Sequence, residues 1–480
     1  VKRLDAAVLF EVLVTFFTLA ACGPATSTLA DAAKQGSTTP PTTTAGGGTP
    51  KAAQAAVNGL DPMRFAAWNA ELRLKEPGRD TVLVDLDAVD HNIAVVRATL
   101  GPQFALRLVT KSLPSTGLIH HVMTVAHTNK VMTFSEGVLG ELLDDFGWSM
   151  DALQGRPMPV EGAERLLRKY DAAENVRWLV DTVDRAKEYA ALAKRTQTRL
   201  KVAVEIDVGL RRGGAIDNAE LLNILAVIDA NRKLLTFAGF MGYDGHVPYG
   251  PQFGLDSDAE FVAVHSRYKA FVQAGAAAYP YMFSRKDLVF NSGGTATYNR
   301  YTKDLVDTPV NDMAMGSGFV MPGDFANLAA LGHYPAEHLA TPVLKRIVPA
   351  EVPFIQGYLP QLAQSNPSLE VSFFMLSGPG PSQIVYPPQL IWNPILSTGP
   401  GTCGSIPPPS GDALGNQALM NGSHDLQLGV GDFIFGWFCE GSSVSEWGSI
   451  TALRNNVIVD TWDTARENCV NCNNHKRDWH

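Results

Sequence analysis

Phe104-Ala105-Leu106-Arg107-Leu108-Val109-Thr110-Lys111 is an apolar, β-type run that ends on a lysine and breaks at once into Ser112-Leu113-Pro114. A strand of this kind presents an amine at the carboxyl end of a sheet, where barrel enzymes assemble their sites. An amine held at such a mouth, between apolar walls, is suited to Schiff-base chemistry. Taken alone, the segment describes a solvated strand-end lysine equally well. The elements on either side decide the matter.

Working outward, β-rich runs alternate with helical ones. Thr81–Asp87, Phe104–Thr110, Lys130–Phe134, Arg177–Val180, Leu200–Val208, Leu235–Phe240, Asp287–Phe290 and Asn311–Met315 read as strands. Ala88–Thr99, Glu161–Tyr170, Ala186–Thr196, Ala219–Asn231 and Asp258–Ala278 read as helices between them. Alternation with near-continuous apolar strands predicts a parallel sheet covered on both faces. The number of units predicts a closed (β/α)8 barrel over residues 80–335. Beyond it, Pro, Gly and Ser turns separate Val343–Val348, Val371–Leu376, Asp432–Phe438, Ile450–Leu453 and Val457–Val459, which predicts an all-β domain over 336–465. Residues 378–425 read as a long surface excursion.

Four strand ends carry residues with chemical uses. Glu205-Ile206-Asp207-Val208-Gly209-Leu210-Arg211-Arg212-Gly213-Gly214 brings acids and bases into a glycine turn. Met241-Gly242-Tyr243-Asp244-Gly245-His246 places an aromatic, an acid and a histidine together. Ser292-Gly293-Gly294-Thr295-Ala296-Thr297-Tyr298 and Met315-Gly316-Ser317-Gly318-Phe319 are glycine-hydroxyl turns whose backbone N–H groups suit a phosphate. Each is weak alone, since such turns are common in loops. With Lys111 they supply an amine, an arginine, a stacking aromatic and an anion cradle, the parts needed to hold pyridoxal phosphate.

These motifs, in this order, resemble the barrel motifs of the fold-type III pyridoxal-phosphate enzymes, and within them the D-threonine aldolase and D-serine dehydratase branch of the alanine racemase-like family. The resemblance covers about residues 80–465 and includes the ending Asn455-Asn456-Val457-Ile458-Val459-Asp460-Thr461-Trp462. It implies that Lys111 carries the cofactor as an aldimine and moves the proton at the substrate α-carbon. It implies that Arg212 faces the pyridine nitrogen, that Tyr243 lies near the cofactor, and that Ser292, Gly293, Gly294, Thr295, Gly316 and Ser317 hold the phosphate. Arg211 or Arg212 could instead cap the turn; the family register favours Arg212 as the inward one. The implied activity is a lyase acting at Cβ of a β-hydroxy D-amino acid, with an amino-acid racemase or a catalytically silent cofactor-binding protein as alternatives. A racemase would need a second base, often a tyrosine from a partner subunit, so a homodimer is allowed for.

One departure concerns metal. Metal-dependent members carry a His-x-Asp or His-x-Cys pair in the β-domain, whereas the corresponding stretch here, Trp437 to Trp447, has no histidine. A divalent metal is therefore not expected, although Cys439 and Glu440 are metal-binding residue types. Asp244 and His246 become the polar candidates for a β-hydroxyl or a second proton.

The rest of the chain bounds the biology. Of 480 residues, 45% are hydrophobic and 18% charged, and the net charge of −9 gives no support for nucleic-acid binding. Residues 1–22 resemble a lipoprotein signal: Lys2-Arg3, an apolar stretch, then Leu19-Ala20-Ala21-Cys22, with Cys22 the residue to be acylated. Asp5 and Glu11 depart from that pattern. Residues 23–57, rich in Thr, Pro and Gly, read as a disordered tether. The expected location is the bacterial cell envelope, by a membrane lipid anchor or in the periplasm, and the cytoplasm if the signal reading fails. The tail 466–480 holds Cys469, Cys472, His475 and His480, too closely spaced for a typical zinc site. A disulfide within the tail, or from it to Cys403 or Cys439, suits an exported chain better.

Overall fold

The run Thr81–Asp85 (β1) leads into a helix, Leu86–Thr99, after which eight strands close a parallel barrel. They are β2 (Ala105–Val109), β3 (Lys130–Thr133), β4 (Asp151–Gln154), β5 (Val176–Val180), β6 (Leu200–Glu205), β7 (Leu235–Met241), β8 (Val289–Ser292) and β9 (Asp312–Met315). This computed structural model describes residues 61–464, apart from 114, 171–174, 353, 377–381, 393–417, 440, 442, 443, 445 and 446. The signal with Cys22, the tether, Cys403, Glu440 and the tail with Cys469, Cys472, His475 and His480 lie outside the described residues. No helix among the described residues is long and apolar enough to cross a membrane.

The barrel strands give way to helices where a short polar side chain caps the first turn. Ser115, Ser135, Thr182, Asp217 and Asp256 accept from the N–H groups of Gly117, Val138, Arg185, Glu220 and Ala259. Each satisfies a backbone donor that the helix itself leaves open.

Side chains that point into the barrel form layers. At the strand starts, fully buried Arg107 grips Asp312 with two parallel bonds, Nε to Oδ1 at 2.8 Å and Nη2 to Oδ2 at 2.9 Å. Its Nη1 also reaches Asp151 Oδ1 at 3.3 Å, and Lys130 and Arg177 bond the same carboxylate. Burial pushes the Asp151 carboxyl up, but the three cations outweigh it and hold it at about 2. Two residues further along the strands, Met132, Leu153, Leu179, Ala203, Met241 and Ala314 make an apolar layer, with Val109, Phe134 and Tyr243 packed upon it.

The second sheet has nine strands. They comprise β1, β10 (Glu337–Ile347), β11 (Val371–Met375), β12 (Ser382–Tyr386), β13 (Ile391–Trp392), β14 (Ala418–Gly422), β15 (Phe433–Phe438), β16 (Ser449–Arg454) and β17 (Val457–Asp463). β1 lies in its middle, antiparallel to β10 (Val82 opposite Leu339) and parallel to β16 (Leu83 opposite Thr451). Trp437 on β15 donates its indole N–H to the Met321 carbonyl at 2.9 Å, tying this sheet to the segment that leaves β9. A helix, Pro62–Lys75, buries Phe65, Trp68 and Leu72 against it.

The barrel and the following all-β sheet are as the sequence predicts, with two exchanges. The eight barrel strands include Asp151–Gln154, which the pattern reading passes over, and exclude Thr81–Asp85. The excursion 378–425 also contributes β12, β13 and β14 to the sheet.

Candidate active site

β2 delivers Lys111 into a single 3-10 turn, Thr110–Ser112, just past the strand's end. The Thr110 hydroxyl fixes that turn by donating to the Met132 carbonyl at 3.1 Å. Lys111 Nζ lies 5.6 Å from the centroid of the Phe134 ring. The residue as a whole is exposed, so the expected apolar enclosure amounts to one aromatic face at an open barrel mouth.

The two glycine turns close on Lys111 from the β8 and β9 side. A Cβ on Gly316 would stand 2.5 Å from the Val109 carbonyl oxygen and 3.1 Å from Ser112 Cβ, so only glycine allows this approach. The Ser317 hydroxyl donates to Ser112 Oγ at 2.9 Å. The second turn thus rests on the residues that flank Lys111. In the first turn, Gly293 has φ +79°, and a Cβ on Gly294 would meet the Tyr243 ring at 2.7 Å. Thr295 Oγ1 accepts from the Gly318 N–H at 3.2 Å and joins the turns. The N–H groups of Thr295, Ala296 and Gly316 donate to no acceptor among the described residues. Open N–H groups on two abutting turns without Cβ atoms in the way fit a phosphate. Ser292 differs from expectation: its hydroxyl donates to the Gly242 carbonyl at 2.6 Å and accepts from Tyr301 at 3.0 Å, so it shapes the turn from behind.

Tyr243 links this cradle to the arginine. Its ring borders Gly294 on one side, and the Arg212 guanidinium carbon lies 5.1 Å from its centroid. Burial pushes the phenol up to about 12, so it stays protonated. Arg211 is the turn-capping arginine: its N–H donates to Asp207 Oδ1 at 3.0 Å, with φ +60°. Arg212 also lies 3.9 Å from Glu205 Oε1. Glu205 closes β6 and is 8% exposed; burial raises its carboxyl pKa, and Arg212 opposes that only in part. The sequence reading quotes Glu205 without giving it a role. The signal was its place as the last residue of a strand whose turn returns as Arg212.

Asp244 and His246 are placed differently from the expectation of substrate-facing groups. Asp244 is fully buried, and both its oxygens are engaged: the Thr297 hydroxyl donates to Oδ1 at 2.9 Å and the Tyr301 hydroxyl to Oδ2 at 2.8 Å. Burial raises its carboxyl to about 6 despite those bonds. It braces the Gly294 turn from within. His246 packs over Gly209 beside Arg267, with Nε2 3.8 Å from Glu260 Oε2 on the helix Ser257–Ala278. Its contacts belong to the barrel's outer layer. Cys439 is disulfide-bonded. No cluster of three or more His, Cys, Asp or Glu among the described residues is placed to hold a metal ion.

Comparison with known proteins agrees with this layout. Residues 84–306 match the family model described as alanine racemase, N-terminal domain. D-threo-3-hydroxyaspartate dehydratase from Delftia sp. HT23 superposes with a TM-score of 0.58 at 16% identity, over 82% of this chain and 98% of that one. D-threonine aldolase from Filomicrobium marinum gives 0.60 at 15% identity, over 82% and 96%. Alanine racemase from Clostridium difficile 630 gives 0.58 at 14%, over 80% and 98%. No curated protein matches the chain in sequence. At these identities the likeness is one of fold.

Proposed function

We propose that this chain, whose barrel is of the alanine racemase N-terminal type found in fold-type III pyridoxal-phosphate enzymes, is a pyridoxal-phosphate-dependent lyase acting at Cβ of a β-hydroxy D-amino acid. One observation carries the reading. The Gly316–Ser317 turn presses on Val109 and Ser112, either side of Lys111, so an amine and an open anion cradle share one barrel mouth. Lys111 would hold the cofactor, and the Gly293–Thr295 and Gly316–Ser317 backbones its phosphate. Tyr243 and Arg212 would flank its ring.

When bound, pyridoxal phosphate supplies an electron sink for charge developing at the substrate α-carbon. The chain's own groups handle the protons. The Lys111 amine would take the proton from the α-carbon and later return one. Glu205, a buried carboxyl of raised pKa beside Arg212, is the group we assign to the proton required by the β-oxygen as it leaves. Asp244 would act through the turn it braces.

The test starts from the cofactor. Protein reconstituted with pyridoxal phosphate should gain a visible chromophore that borohydride bleaches, and Lys111→Ala should lose it. A wild type that stays colourless sinks the proposal. Incubation with D- and L-threonine and D- and L-serine then separates the reactions: glycine plus aldehyde for an aldolase, keto acid plus ammonia for a dehydratase. The alanine racemase family match supports a second reading, a racemase, which would give the opposite enantiomer. Repeating the assay with chelator reports on metal use. We further propose that the chain is lipid-anchored in the cell envelope through Cys22, on the strength of Leu19-Ala20-Ala21-Cys22. Mass spectrometry should then find a diacylated cysteine, and Cys22→Ala should leave the membrane fraction.

A further inference from the structure

Tyr298 and His333 are both buried, and neither has a part in the chemistry above. Tyr298 closes the first glycine turn, while His333 follows the helical stretch Gly323–Leu331. The Tyr298 hydroxyl lies 2.5 Å from His333 Nε2, and His333 Nδ1 lies 2.9 Å from the Gly318 carbonyl oxygen. A carbonyl only accepts, so Nδ1 carries the proton. Nε2 is then the acceptor, and the tyrosine donates to it. Burial lowers the imidazole pKa to about 4, so this neutral tautomer persists at neutral pH.

Gly318 belongs to the second turn and is tied to the first twice. Its N–H donates to Thr295 Oγ1 at 3.2 Å. Its carbonyl reaches Tyr298 through the His333 ring. The two links close a ring of hydrogen bonds around the residues whose N–H groups stay open. A shift of either turn would part the donors that have to converge on one anion.

We propose that His333 is a positioning residue that fixes the spacing of the two glycine turns and thereby sets affinity for the phosphate of a phosphorylated ligand. This rests on reading those turns as the phosphate cradle. The geometry favours a local effect, because His333 meets the cradle only from behind and touches no group assigned to the pyridine ring.

Pyridoxal phosphate and pyridoxal, which lacks the phosphate, would be titrated into the wild type and into His333→Leu, His333→Gln and Tyr298→Phe, following visible absorbance. His333→Leu and Tyr298→Phe should weaken pyridoxal phosphate by about tenfold or more and pyridoxal by less than about twofold, the scale of one buried hydrogen bond. His333→Gln offers an amide donor and a carbonyl acceptor, and should stay within about threefold of the wild type for both ligands. Should His333→Leu fail to fold, Tyr298→Phe, which removes one hydroxyl, carries the comparison. Equal loss for both ligands, or no loss, overturns the role of His333. A wild type without preference for the phosphorylated ligand would instead overturn the cradle, a result distinct from a preference that the variants retain.

Discussion

Asp244 is an acid whose neighbours define its work. Its oxygens receive two hydroxyl donors and it has no access to solvent, so substitution acts first on the turn. Asp244→Asn keeps one acceptor and loses another, and should destabilise by about 1–3 kcal/mol, read from urea midpoints. The pH dependence has a defined sign. The folded value of about 6 lies above the ordinary 3.8, so the folded state holds the proton more tightly. That contribution is whole below about 3.8 and is lost as pH rises through about 6. The wild type's margin over Asp244→Asn should therefore shrink between acid and neutral pH. Glu205 makes the opposite kind of prediction. Glu205→Gln should keep the cofactor chromophore and lower kcat by about 10²–10⁴-fold, as expected for a lost general acid. Equal loss of chromophore and turnover would make Glu205 a structural group.

At the scale of the element, β2 is held by its buried Arg107. Arg107→Ala strands the carboxylates of Asp312 and Asp151 in the barrel and should cost about 3–5 kcal/mol, whereas Arg107→Met paired with Asp312→Leu should cost much less. Chemical denaturation of the four proteins distinguishes them. Gly316→Ala needs no unusual φ, so its harm is steric: the new methyl meets the Val109 carbonyl, and Lys111 should lose cofactor affinity more than the protein loses stability. Which elements were legible follows from the same physics. The strands carrying Lys111, Glu205, Tyr243 and the glycine turns announce themselves as apolar runs that break into Gly, Ser or charged residues. Asp151-Ala152-Leu153-Gln154 has two apolar residues between polar ends, because Asp151 serves the ionic layer, and it is too short for a periodicity. Thr81–Asp85 is buried at all five positions, like a barrel strand, and nothing local distinguishes the sheet it enters. The hydroxyl commitments of Ser292, Thr297 and Tyr301 to one another and to Asp244 are contacts between distant turns, invisible in spacing.

At the scale of the whole molecule, barrel and sheet depend on one another through β1. A chain cut after residue 335 would lack both neighbours of β1, namely β10 and β16, along with the Trp437 bond to Met321. It should not give a cooperative unfolding transition. In the full chain, fluorescence from Trp178 in the barrel and Trp437 in the sheet should report one common midpoint in urea, as expected when two units unfold together. Separated midpoints for single-tryptophan variants would contradict this. The placement of β1 also orders events during synthesis. Thr81 meets Thr451, hydroxyl to hydroxyl at 2.8 Å, across 370 residues of chain. At roughly 5–20 residues per second on the ribosome, β1 waits roughly twenty seconds to over a minute for that neighbour. Throughout that time a five-residue apolar strand has two unpaired edges, the kind that recruit other chains. The nascent barrel therefore has to mature beside an unsatisfied strand, and the last residues translated are the ones that shield the first.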